Sequence, residues 1–220
     1  MVKRIVGILI PLITCTALVA QSDPVAASGQ YSKVYTGKEV AFEKVVAGHV
    51  AKWHGPDQWP TFAALVTNGP RMGQYFMGTT GHYWKDYAER KTTKAHNDEW
   101  QYIIQKYVEE QSGMMQFEKQ LDASYNDRSA PMWEGTIYYI KPGKRGKMLD
   151  ILQRGAEASR QANFKGSSGA YSIISGGEQD GMLVLVTRMD SMADLASPTT
   201  SIRERWVSAY GEEVFEQAVK

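Results

Sequence analysis

Thr136-Ile137-Tyr138-Tyr139-Ile140 is followed by Lys141-Pro142-Gly143-Lys144 and an amphipathic run to about Asn163. Next come Tyr171-Ser172-Ile173-Ile174, Gly176-Gly177, Met182-Leu183-Val184-Leu185-Val186 and Met192-Ala193-Asp194-Leu195. β-Branched and aromatic residues ahead of a Pro-Gly break predict a strand that stops there. The following run has helical periodicity, and two short apolar segments around Gly-Gly predict a hairpin. The order is β-α-β-β-α.

That order recurs earlier. Val34-Tyr35-Thr36-Gly37-Lys38 precedes a helical run from Glu39 to about Trp53, then Phe62 to Val66, the turn Asn68-Gly69, Tyr75 to Gly78, and Trp84-Lys85-Asp86-Tyr87. Asp86 and Asp194 are 108 positions apart, as are Gly69 and Gly177, whereas Gly37 and Gly143 are 106 apart. A loop longer by two residues reconciles the offsets, and internal similarity of this kind predicts two equivalent halves. The halves are placed at 31–121 and 132–220, joined by a polar linker over 122–131.

Lys3 and Arg4 precede an apolar segment from Ile5 to Val19, too short for a ~20-residue membrane helix and ending in small residues. It predicts a signal peptide over residues 1–20, with periplasmic or secreted location. Cys15 leaves a lipid-anchored alternative. Residues 21–30, rich in Ser, Ala and Gly, read as a flexible leader. Beyond residue 20 there is no cysteine, which excludes disulfides, thiolate nucleophiles and cysteine-ligated metals there. The 25 basic and 24 acidic residues nearly cancel, so composition points to neither nucleic acid nor an anionic membrane surface.

Aromatic rings crowd the first half at Trp53, Trp59, Phe62, Tyr75, Phe76, Tyr83, Trp84 and Tyr87. They predict core or the wall of a pocket. Trp100, Ile103, Ile104, Tyr107 and Val108 form a helical stripe within 91–120, with Asn97 as its cap; Glu109-Glu110 reads as a solvated helix face. Ser201 is the expected cap of a C-terminal helix carrying Ile202 and Trp206.

A β-α-β-β-α unit covered by helices on one face needs a partner for the other, and two units in one chain supply each other. In element order, in the strand-Pro-Gly-Lys-helix step at Ile140 to Lys144, and in the paired Trp84-Lys85-Asp86 and Met192-Ala193-Asp194, the chain resembles the dimeric α+β barrel superfamily. That group of ferredoxin-like domains includes NIPSNAP-like, EthD-like and antibiotic-biosynthesis-monooxygenase-like proteins. The resemblance implies an α+β fold with antiparallel sheets packed face to face as an α+β barrel, and a pocket between sheet and helices. It transfers no catalytic residue, because none of the matching residues is a catalytic signature.

The four histidines are His49, His54, His82 and His96. His49 and His54 are five apart, which on a continuous helix turns them about 140° from each other, so no joint metal site is expected. Trp53-His54-Gly55-Pro56 must leave the helix, however, and His54 can turn back there. His54 and His82 are the expected proton shuttles. Haem-binding members of the superfamily imply an axial histidine in the second half, which this chain lacks. There is no glycine-rich nucleotide loop and no nucleophile elbow. Arg188 reads either as an anion contact or as a surface arginine paired with Asp190. The expected function is binding of an apolar or aromatic small molecule by Trp53, His54, Trp59, Tyr75, His82, Trp84 and Arg188, with neither cofactor nor metal and with a homodimer compatible. The competing readings are a non-enzymatic envelope interaction protein and a cofactor-independent monooxygenase-like enzyme.

Overall fold

The computed structural model describes residues 23–55, 59–176, 181–196 and 201–219, so the expected signal peptide lies outside the described residues. The first half comprises β1 (Ala26–Val34), α1 (Glu39–Trp53), β2 (Phe62–Leu65), β3 (Tyr75–His82), α2 (Trp84–Glu89), α3 (Lys94–Glu99), β4 (Val108–Gln111) and β5 (Met115–Lys119). The second comprises β6 (Met132–Tyr138), α4 (Arg145–Gln161), β7 (Ser168–Ser175), β8 (Leu183–Met189), a 3₁₀ turn (Met192–Leu195), α5 (Ile202–Tyr210) and α6 (Glu212–Val219). No described helix is long and apolar enough to cross a membrane.

The two matched motifs form similar local turns at both places in the chain. Lys38 N–H donates to Tyr35 O and Lys144 N–H to Lys141 O, both at 3.0 Å. Gly37 and Gly143 supply the positive φ those turns need, 80° and 78°. Tyr35 and Tyr139 each lie one residue past the strand that feeds the turn. Asp86 accepts from Tyr83 N–H at 2.8 Å and Asp194 from Ser191 N–H at 3.2 Å, the first capping α2 and the second the 3₁₀ turn. Ser201 caps α5 as expected, accepting from Glu204 N–H at 3.1 Å.

The eight strands form one antiparallel sheet in the order β2-β3-β1-β5-β7-β8-β6, with β4 also paired to β1. The halves meet edge to edge, β5 pairing with β7 at Glu118↔Ser172. They also meet face to face, because the sheet curls. Phe76 of β3 contacts Phe117 of β5 and Trp133 of β6, ring centroids 6.3 and 5.8 Å apart, although β3 and β6 stand near opposite ends of the strand order. This is the α+β barrel architecture. On the other face of the first half, Val34, Tyr75 and Met77 pack with Phe42 and Val46 of α1 and with Ile104. Phe42, Val46 and His49, at i, i+4 and i+7, are the buried stripe of α1.

Three local expectations are corrected. Ala26 to Gly29, placed in a flexible leader, are buried in β1, where their small side chains let β3 approach closely. The helical stripe is interrupted: α3 is capped by Thr93, a π turn covers Trp100–Ile104, and Val108 to Gln111 are strand. Pairing with β1 overrides helical spacing there, and Glu109 meets Lys33 at 3.0 Å across the ladder. The segment read as a linker is packed, Asp127 accepting from Lys119 at 2.8 Å and Arg188 at 3.0 Å.

Candidate functional site

Helix α1 ends at Trp53. His54 N–H still donates to Val50 O at 2.9 Å, but at φ −128° and ψ 41° its side chain leaves the helical path. The expected divergence of His49 and His54 holds only for a continuous helix. The break brings their Nε2 atoms to 3.3 Å of each other. Helix α3 delivers His96, whose Nε2 lies 3.2 Å from that of His54. Among the described residues, His49, His54 and His96 are the group with donor atoms close enough to share an ion, all within 4.8 Å of one another.

The other ring nitrogens face outward. His49 Nδ1 is 3.1 Å from Glu99 Oε1, His54 Nδ1 is 3.0 Å from Trp59 O, and His96 Nδ1 is 3.2 Å from Asn97 Oδ1. The second oxygen of Glu99 accepts from Lys52 Nζ at 2.6 Å. That ammonium, against the opposing effect of burial, holds the Glu99 carboxyl down to about 2. Burial is the main cause lowering the basicity of His49 and His54, and the neighbouring imidazoles add to it. His49, at 1% exposure, is deepest. Trp100 lies 5.5 Å from its ring and Trp53 stands edge-on to His96 at 5.6 Å.

Trp59 joins this cluster to a second one. Its carbonyl also accepts from Thr61 Oγ1 at 3.2 Å, and its backbone is left-handed at φ 84°, a strain of about 1–2 kcal/mol outside glycine. Its indole stacks on His82, centroids 3.8 Å apart and planes 10° from parallel. Tyr87 meets the indole edge-on at 4.8 Å and the Arg90 guanidinium lies over it at 4.6 Å. The Thr79 hydroxyl donates to Pro60 O at 2.6 Å and so accepts from His82 Nε2, which fixes that tautomer. Burial lowers the basicity of His82. The Trp59 Nε1–H is buried with no acceptor among the described residues.

Of the expected ligand residues, Trp53, His54, Trp59 and His82 come together, and Trp84 lies one ring further out, 5.7 Å from Tyr87. Tyr75 is core, packed on Phe42 at 4.9 Å with its hydroxyl donating to Glu43 at 2.6 Å. Arg188 pairs with Asp127, not Asp190, whose partner is Arg128 at 2.6 Å. Sequence reasoning passed over His49, His96 and Glu99 as members of one site. The available signal was a helix break directly after Trp53 together with His96 and Glu99 at i, i+3 spacing.

No family model and no curated protein sequence matches the chain. Solved structures do. The chain is similar to a candidate monooxygenase from Lactobacillus acidophilus at 6% identity and TM-score 0.59, and to one from Fusobacterium nucleatum at 14% identity and TM-score 0.61. Each alignment covers 84% of this chain and 86% of the other. At such identities the likeness is one of fold, a curled antiparallel sheet with helices in an α+β barrel.

Proposed function

We propose that this protein binds a small molecule beside Trp59, and that the ligand presents a flat apolar or aromatic face with one hydrogen-bond acceptor. The observation that carries this reading is the strained, stacked Trp59, whose buried Nε1–H has no acceptor among the described residues. Leaving such a donor unpaired costs about 1–3 kcal/mol, and a ligand acceptor recovers it. Strain held at one residue is characteristic of binding sites. A thermal-shift screen of aromatic acids, phenols and apolar metabolites tests it. A binder raises the melting temperature, and Trp59→Phe, which keeps a ring and removes the donor, binds it about tenfold more weakly. Unchanged affinity in Trp59→Phe counts against the reading.

Oxygenation of such a ligand is the second reading, favoured by the candidate monooxygenases that share the fold. Here His82 or His54, whose neutral forms burial favours, takes the substrate proton, the carbanion adds dioxygen as a hydroperoxide, and loss of water leaves a carbonyl, with dioxygen the oxidant and the substrate the reductant. Turnover that survives both His82→Ala and His54→Ala dismisses it. Export belongs to the proposal as well: a mature chain starting at Gln21 leaves five residues ahead of β1, and intact-mass measurement of the secreted or periplasmic product checks that start.

A further inference from the structure

Three imidazoles, with His54 Nε2 at 3.3 Å from His49 Nε2 and 3.2 Å from His96 Nε2 and all three donors within 4.8 Å, pose a problem of protons. A carboxylate and a backbone carbonyl can only accept. The Glu99 contact therefore places the proton of neutral His49 on Nδ1, and the Trp59 carbonyl does the same for His54. Thr61 is consistent with this, since its hydroxyl donates to the same carbonyl. The Nε2 atoms of His49 and His54 are then lone pairs aimed at each other, and His96 Nε2 points into the same space. A single proton serves one such pair and leaves the third nitrogen out. A cation serves all three.

Two of the three spacings match an ion's demands, and the third pair lies within 4.8 Å. A tetrahedral metal with nitrogen ligands at ~2.0–2.1 Å sets them about 3.3–3.4 Å apart. Metal-binding histidines characteristically donate the other ring nitrogen to a carboxylate or carbonyl, as His49 and His54 do here. Lys52 in turn orients Glu99. We propose that His49, His54 and His96 bind one divalent first-row transition-metal ion through their Nε2 atoms, with a fourth coordination position left for a small ligand. All-imidazole ligation suits zinc, copper, nickel, cobalt or iron rather than calcium or magnesium, which prefer oxygen. Three protein ligands rather than four are the pattern of reactive sites. This inference stands apart from small-molecule binding at Trp59, since it requires no organic ligand; with His54 Nδ1 on the Trp59 carbonyl and Nε2 on the ion, His82 is the base left to the oxygenation reading.

The test uses the whole exported chain, made without a histidine tag, stripped with a chelator and titrated with Zn2+ and Co2+. One equivalent per chain, the visible absorption of low-coordinate Co2+ and a raised melting temperature are expected. His96→Ala, at a partly exposed position, weakens binding at least 100-fold, with His54→Gln as the second variant should the first not fold. Glu99→Gln keeps all three ligands and weakens binding about 10- to 100-fold. Sub-stoichiometric uptake by the wild-type chain overturns the inference, and so does one equivalent bound equally well by His96→Ala, which places the ion elsewhere. Neither result bears on the Trp59→Phe comparison.

Discussion

Glu99 accepts from His49 through one oxygen and from Lys52 through the other, at 3.1 and 2.6 Å. Its carboxyl is lowered from 4.5 to about 2, with Lys52 the largest cause. A group held below its unfolded value stabilises the fold above that unfolded value and loses the contribution as pH falls through the folded one. The window for Glu99 is therefore pH 4.5 down to about 2. Burial also lowers His49 from 6.5, so its protonation weakens the fold as pH falls below that value and through its folded one. In chelator-treated protein, Glu99→Gln is expected to be less stable than wild type to urea at pH 7, with the gap closing between pH 4.5 and 2. A gap that stays constant across that range removes the ionic role. The spacing of His96 and Glu99 is visible in the sequence, but the ion pair is not, because Glu99 reads there as one of many acids on a helix. Only the fold brings α1 and α3 together around it.

Elements whose geometry is set by neighbours in sequence were the legible ones. Gly37-Lys38 and Gly143-Lys144 are read from turn chemistry alone, as is Ser201 as a cap, whereas Asp86 and Asp194 are read only as a matched pair. The stretch from Trp100 to Gln111 was illegible for the opposite reason. Its apolar spacing is helical, and Trp100, Ile104, Tyr107 and Val108 do reach the core, yet the ladder with β1 claims its last residues. Tertiary pairing also explains β1. Ala26 to Gly29 look too small and polar for a strand, but small size is what the site requires. A Cβ on Gly78 of β3 would sit 2.7 Å from the Ser28 carbonyl, which is backbone and has little room to move. Gly78→Ala is thus expected to cost about 2 kcal/mol or more in chemical denaturation. Gly113→Ala, at a residue with open space around its Cα, is expected to stay within about 0.5 kcal/mol of wild type. Equal effects at the two positions contradict the packing argument.

The two halves depend on each other in two ways. Strand β5 gives one edge to β1 and the other to β7, so separating the halves bares the hydrogen-bonding edge of β5. Curling of the sheet sets Phe76 and Phe117 of the first half in a ring cluster with Trp133 of the second, and separation exposes that cluster to water. A face bearing two or more uncovered aromatic rings beside an open strand edge favours association over a folded monomer. A fragment spanning residues 23–121 is therefore expected to bind a hydrophobic dye strongly and to lack a cooperative unfolding transition. Mixing it with residues 122–219 should recover the near-ultraviolet dichroism of buried aromatics and a single transition. A first-half fragment that melts cooperatively as a dye-silent monomer means that its sheet face is closed without its neighbour. The curl then reflects the packing of two independent domains rather than one shared interior.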